Sequence, residues 1–393
     1  MQEAVEAKRS YGCTISIGGG RPSDAVLSLA GGRLMISGAG LRTIDLLQVE
    51  GLTRQDLMIG LRVYPDELLL VQKLGRDFEM FYDELRLERR NRILKGLFLQ
   101  DTQSSKAFPC QFGLGTELAT GDIEVYPTSV LCYPDSSPPF HLPLSYVLDD
   151  SFDPDDWSVN LQLIEGSVLK VRKLGKLTDE FRETIGIAMR NHAGRAARLG
   201  ALLAPNCDLL PGIPIEVPAG HSFETAPILR RQEAAHISGL GTCRLCVSEL
   251  NTGLSGATDE RAIPDDELLL RNSFLYLMCE AGSSLIVEVL NQEDHATYVF
   301  GLGEVPPLSP PLRFETQFFM HIARALDSIN FRREPIYEDA ETLAAGYAVD
   351  VGTIERKSPS ARVLRHTFLK RIVHAGYERW ASDLDACLRG RTS

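Results

Sequence analysis

The sequence predicts an α+β protein: two tandem strand-rich modules, each capped by a C-terminal helix, then a third antiparallel strand-helix domain and a helical tail. Three observations predict it. A stretch of the chain repeats at an offset of 100 residues, from Val71 to Val171. Inside each copy the apolar period changes from two to nearly four, and three apolar runs punctuated by turn residues follow in the C-terminal half.

The repeat is clearest at Leu69 to Gly75, Leu-Leu-Val-Gln-Lys-Leu-Gly, which returns at Leu169 to Gly175 as Leu-Lys-Val-Arg-Lys-Leu-Gly. The offset persists at Leu61 and Leu161, Phe81 and Phe181, Arg90 and Arg190, Asn91 and Asn191. Before the signature, Leu57, Ile59, Leu61 and Val63 alternate with other residues, as do Trp157, Val159, Leu161 and Leu163. Period two places each row on one face of a strand. Turn residues and a second strand follow, so each copy contains a hairpin. After the glycine, Phe78, Phe81, Tyr82 and Leu85, or Leu177, Phe181 and Ile185, form a helical stripe, with Asp77 and Thr178 as expected caps.

A run of antiparallel strands, a Lys-Leu-Gly turn and a long amphipathic helix resembles the pleckstrin-homology-like (PH-like) fold in tandem, and bacterial proteins with the same rhythm. The resemblance covers the first half of the chain and implies a binding scaffold. The modules are expected at 10–107 and 108–205, the third domain at 206–345 and the tail at 346–393.

Upstream, Ile15 to Ala30 reads as two strands around Gly18-Gly19-Gly20, with Arg33 to Ser37 next. Neither this glycine run nor Gly38-Ala39-Gly40 opens a phosphate-binding motif, so hairpin turns are expected. The helix bearing Arg86, Arg89, Arg90, Arg92 and Lys95 also carries Asp83, Glu84 and Glu88, the pattern of a solvated face. The aspartates of Asp149 to Asp156 lack an EF-hand pattern and read as a solvated turn. The second helix is expected to run from Thr178 to Ala204, with His192 as a packing or surface residue, and prolines at 205, 211, 214 and 218 mark a boundary.

In the third part, Phe274 to Cys279, Leu285 to Leu290 and His295 to Phe300 are strand candidates. The proline run at 305–311 reads as a stiff spacer before a helix carrying Phe318, Phe319, Ile322, Leu326 and Ile329. Cys243 and Cys246 have the spacing of a zinc half-site, but no second close pair follows, so buried thiols are expected and no metal or cofactor is assigned. Glu293, Asp294 and His295 adjoin, but neighbouring strand residues face opposite ways. In the tail, Ser358-Pro359 starts a helix with Leu364, Phe368 and Ile372 at helical spacing, stopped by Gly376, and Trp380, Leu384 and Leu388 form a second stripe.

The net charge of −12 opposes general affinity for nucleic acid or anionic membrane. No stretch has the apolar length of a membrane span, the N-terminus has no signal-peptide core, and eight scattered cysteines fit reduced thiols, so a cytoplasmic protein without membrane insertion is expected. Against the acidic background Arg362, Arg365, Lys370 and Arg371 are candidate partner contacts, with docking onto the chain's own acidic surface as the simpler use of that charge. The function expected is non-enzymatic binding or scaffolding of a protein or peptide. The alternatives are an enzyme, such as a hydrolase, with a site around His236, Cys246 or His295, and a lipid-binding PH-like protein.

Overall fold

The structure, a computed structural model, describes residues 9–38, 40–96, 106–135, 139–163, 166–203, 215–217, 232–249, 266, 269, 273–290, 296–301, 318–329, 331–347 and 349–389. The linkers at 204–214 and 218–231, residues 291–295 with His295, and the proline run lie outside them.

The alternation at 59–63 and 159–163 becomes one strand in each of two matching seven-stranded sheets. The first sheet comprises β1 (Ser10–Ile17), β2 (Ser23–Ala30), β3 (Arg33–Ser37), β4 (Arg42–Asp45), β5 (Val49–Gln55), β6 (Met58–Val63) and β7 (Glu67–Gln72). The second comprises β8 (Ala107–Gly113), β9 (Ala119–Val125), β10 (Ser129–Pro134), β11 (Phe140–Pro143), β12 (Val147–Asp153), β13 (Ser158–Leu163) and β14 (Val168–Arg172). Their orders are β4-β3-β2-β1-β7-β6-β5 and β11-β10-β9-β8-β14-β13-β12, and the recorded pairings are antiparallel. Each sheet is capped by its helix, α1 (Phe78–Gly96) or α2 (Thr178–Leu203).

The repeat therefore spans whole modules. A 3-10 turn precedes the fifth strand of each, Leu46–Gln48 and Leu144–Tyr146, and the same register shift follows, between Val49 and Gly51 and between Val147 and Asp149. Ile59, Leu61 and Val63 are buried, as are Val159, Leu161 and Leu163. Leu57 and Trp157, expected in the same rows, sit in the turns before β6 and β13 and are each 67% exposed.

Gly75 and Gly175 have left-handed backbones, with φ of 59° and 57°. Lys73 and Lys173 share that conformation, at 58° and 59°. Asp77 belongs to a 3-10 turn, and the Thr178 hydroxyl donates to the Gly175 carbonyl at 2.9 Å, so neither residue caps as expected.

The third sheet has the order β15-β16-β17-β18-β19-β20: β15 (Ile215–Val217), β16 (Thr242–Glu249), β17 (Ser273–Ala281), β18 (Ser284–Val289), β19 (Ala296–Gly301) and β20 (Phe368–Val373). Its central strands are apolar on both faces because both are covered. On one side pack α4 (Phe318–Ser328), α5 (Glu334–Tyr337), α6 (Ala340–Tyr347), α7 (Val351–Lys357) and α8 (Pro359–Thr367), through Phe319, Ile322, Leu326, Ile354 and Leu364. On the other lie α3 (Gln232–Ser238), α9 (Tyr377–Arg389) and the end of α2, through Ile237, Trp380, Leu384 and Leu199.

The three parts are not separate beads. Leu47, Ile93 and Leu94 of the first module and Tyr126, Leu131 and Tyr133 of the second belong to the same apolar cluster as Tyr276, Val287 and Ile322 of the third. The expected helical tail is also corrected. Ser358 does cap α8, accepting from the Ala361 N–H, but the helix ends at Thr367 and the chain continues as β20 alongside β19. Residues four apart share a face in a strand as well as in a helix, so Leu364, Phe368 and Ile372 satisfied both periods. The open edge of β19 decided for the strand.

Candidate functional site

The basic residues of the tail fall on two elements with different fates. On α8, the Arg365 guanidinium donates to the carbonyls of Pro335 and Glu338 at 2.8 and 3.0 Å, with Glu355 at 3.5 Å. Arg362 is half-buried on the same helix. Lys370 and Arg371 are exposed on β20. Arg371 lies 4.8 Å above the Tyr337 ring, while Val373, two residues on, is 54% exposed. Among the described strands β20 pairs with β19 alone. The structure thus separates the four candidates: one guanidinium ties helices together, and two cations flank an edge strand.

Just before them, Arg356 and Lys357 approach Glu50 of the first module, each at 3.6 Å, and Arg356 stacks 3.7 Å above the Tyr64 ring. Burial pulls the Lys357 ammonium down to about 8. Intramolecular docking consumes this part of the basic patch.

Beneath the base of β20 lies a polar group inside the sheet core. Glu288 is fully buried on β18, in a strand otherwise apolar between Leu285 and Val289. The Thr297 hydroxyl donates to its Oε2 at 2.5 Å and accepts from the Trp380 indole N–H at 2.6 Å. His374 Nε2 lies 3.1 Å from Thr297 Oγ1 and 3.1 Å from Glu288 Oε1, and its Nδ1 is 4.0 Å from Glu233. The His236 ring stands 5.4 Å from the Trp380 ring, with Nδ1 3.2 Å from the Tyr377 hydroxyl and Nε2 3.6 Å from Asp385. These contacts fasten α3, α9 and the end of β20 onto the sheet. They also bring a hydroxyl, a carboxylate and an imidazole into mutual contact.

The other residues considered for chemistry are dispersed. Cys243 and Cys246 lie three apart on β16, hence on opposite faces, and join different apolar clusters. Burial pushes the Cys246 thiol well up. Cys243 sits opposite Cys279, whose thiol is raised by its contact with Cys243 and by burial. Among the described residues no group of three or more His, Cys, Asp or Glu has a metal-holding arrangement. Behind Cys246, the Ser248 hydroxyl donates to Asp327 Oδ1 at 2.5 Å, and burial lifts that carboxyl to about 7. Buried Arg324 stacks 4.5 Å above Tyr146 of the second module, and burial followed by the Arg324 charge lowers His141 to about 3.

The basic face of α1 is an interface. Arg86 pairs with Asp122, and Arg90 with Glu124, on β9 of the second module. Glu124 is 3% exposed and also accepts from the Tyr126 hydroxyl at 2.8 Å. Arg92 donates to Asp45 at 2.9 and 2.7 Å, and Arg89 is buried with its Nε 3.3 Å from the Val49 carbonyl. The solvated face expected here is thus largely spent on contacts within and between modules. Asp149 to Asp153, expected in a turn, are residues of edge strand β12, and only the last four residues before β13 form the turn.

No known family model matches this sequence, and no curated protein matches it. Sequence reasoning missed Glu288, Thr297, His374 and Glu233, which are spread over the chain without a local motif. One signal was present: Glu288 is a lone carboxylate in an apolar run of strand residues, where a charge needs a buried partner.

Proposed function

We propose that the chain is a non-enzymatic scaffold that binds a protein or peptide in the cytoplasm, with PH-like first and second modules. The PH-like reading is supported by the shared order of seven antiparallel strands followed by a helix. Among the described residues no helix is long and apolar enough to cross a membrane.

The observation that carries the proposal is edge strand β20. An edge presents backbone donors and acceptors that an extended segment can pair, and its alternate side chains set the choice of partner. Here those side chains are Lys370 on one face and Arg371 and Val373 on the other.

The test is affinity capture from the native cell lysate with the full chain, beside the variant Lys370→Glu/Arg371→Glu. A stoichiometric protein lost from the variant at unchanged melting temperature is the expected result. Equal capture by both baits, or no stoichiometric protein, overturns the proposal. A second reading, an enzyme, is favoured by the mutual contact of the Thr297 hydroxyl, Glu288 and His374. A small molecule that copurifies, is turned over, and is no longer turned over in folded Glu288→Gln would put that reading first.

A further inference from the structure

The duplication provides an internal reference for each outward sheet face. In the second module, register sets Ser151 opposite Asn160, and Asn160 opposite Lys170. The same positions in the first module hold Thr53, Gly60 and Leu70. There the face is closed: a Cβ on Gly60 would come 2.5 Å from the Thr53 hydroxyl and 3.6 Å from Leu70. In the second module the face opens into a groove of about 500 Å³, lined by Leu114, Ser151, Asn160, Gln162, Ser167 and Lys170. That volume lies within the roughly 300–1,000 Å³ usual for small-ligand clefts.

Much of the lining is apolar, Leu114 and Val168 included, and its polar members are neutral side chains and one ion-paired lysine. The Lys170 ammonium pairs with Asp156, which also has Arg172 Nε at 3.8 Å. The Asn160 carbonyl accepts from the Ser158 hydroxyl at 3.3 Å, which leaves its amide N–H groups and one carbonyl lone pair for a ligand. Gln162 adds a donor and an acceptor, and Ser151 a hydroxyl that serves as either. An anion would have to share the Lys170 ammonium against the charge of Asp156, and a cation would meet Lys170 and Arg172 around the one carboxylate. Ligand hydroxyls, which both donate and accept, meet this set without breaking the pair.

We propose that this groove binds a small uncharged polyhydroxylated ligand of the saccharide class. The site is separate from the β20 edge and does not depend on the scaffold reading.

The experiment is saturation-transfer NMR on the full chain with D-glucose, N-acetyl-D-glucosamine and maltose, at low and high salt. Transfer to at least one sugar is expected, insensitive to salt because no net charge is matched. The variant Asn160→Gly/Lys170→Leu carries the residues that the first module bears at these positions. It should bind about tenfold more weakly or worse, the effect of losing one or two hydrogen bonds. Should it fail to fold, Gln162→Ala supplies the same readout. The proposal is overturned if none of the three sugars shows transfer, if a folded variant binds the sugar as tightly as the parent in a titration of the transfer signal, or if acetate or inorganic phosphate binds instead in a salt-sensitive way.

Discussion

Asp327 makes stability depend on pH in a direction opposite to that of an ordinary paired carboxylate. It lies on α4 under β16, its half-buried carboxyl beside Ser248, Cys246 and Tyr276, with Arg324 one helical turn back. Burial raises it from 3.8 to about 7, while the Ser248 bond and the Arg324 charge act the other way. Between those two values the folded chain binds a proton that the unfolded chain has released. Stability therefore falls as pH rises through this window and levels off above about 7. At about 1.4 kcal/mol per pH unit, the loss from pH 5.5 to 8 is about 2 kcal/mol from this group alone. Asp327→Asn cannot titrate, and its amide oxygen can still accept from Ser248. Urea denaturation followed by tryptophan fluorescence should show the variant gaining on the parent by about 2 kcal/mol between pH 5.5 and 8. Parallel pH profiles for the two proteins would refute the reasoning.

Arg90→Ala should cost about 3–5 kcal/mol in a denaturant titration, because it strands the buried Glu124 carboxylate. The double variant Arg90→Met/Glu124→Leu should recover most of that loss, and an equal loss would mean the pair itself supplies the stability. Gly75→Val and Gly175→Val should each destabilise by about 1–2 kcal/mol or more through the left-handed backbone, since no atom stands within 4 Å of an added Cβ; unchanged melting of both refutes this. A fragment of residues 1–107 should retain the core built from Leu27, Leu61 and Phe81, yet bind a hydrophobic dye through Leu47, Ile93 and Leu94, which the intact chain covers. A dye-silent fragment as stable as the parent would show that the shared cluster contributes little.

The repeat was legible where the spacing is uniform and hidden where it is not. Two residues, 56 and 57, join β5 to β6, whereas four, 154–157, join β12 to β13. Upstream of that turn the offset falls to 98, as between Leu46 and Leu144, and side-chain identity has drifted. What persists is geometry, a 3-10 turn and a register shift, which a residue-by-residue comparison does not register. The strand at Phe368–Val373 was hidden for another reason: its partner β19 lies some 70 residues earlier, and the apolar spacing fits helix and strand alike.

The charged residues explain why the site was harder to read than the fold. Arg86 and Arg90 look like one side of a solvated helix because their partners, Asp122 and Glu124, lie 36 and 34 residues away on another module. Arg356 and Lys357 reach back to Glu50, across most of the chain. Such pairs add little net stability over an apolar contact, because desolvation offsets the attraction. A mispaired docking would strand a charge, however, so the pairs favour one arrangement of the three parts over others. The shared cluster around Leu47, Tyr133 and Ile322 supplies the burial, and the ion pairs select its geometry. Lys370 is placed differently: it is exposed on a strand whose far edge is open among the described residues, and there its charge bears on what the chain meets rather than on how it folds.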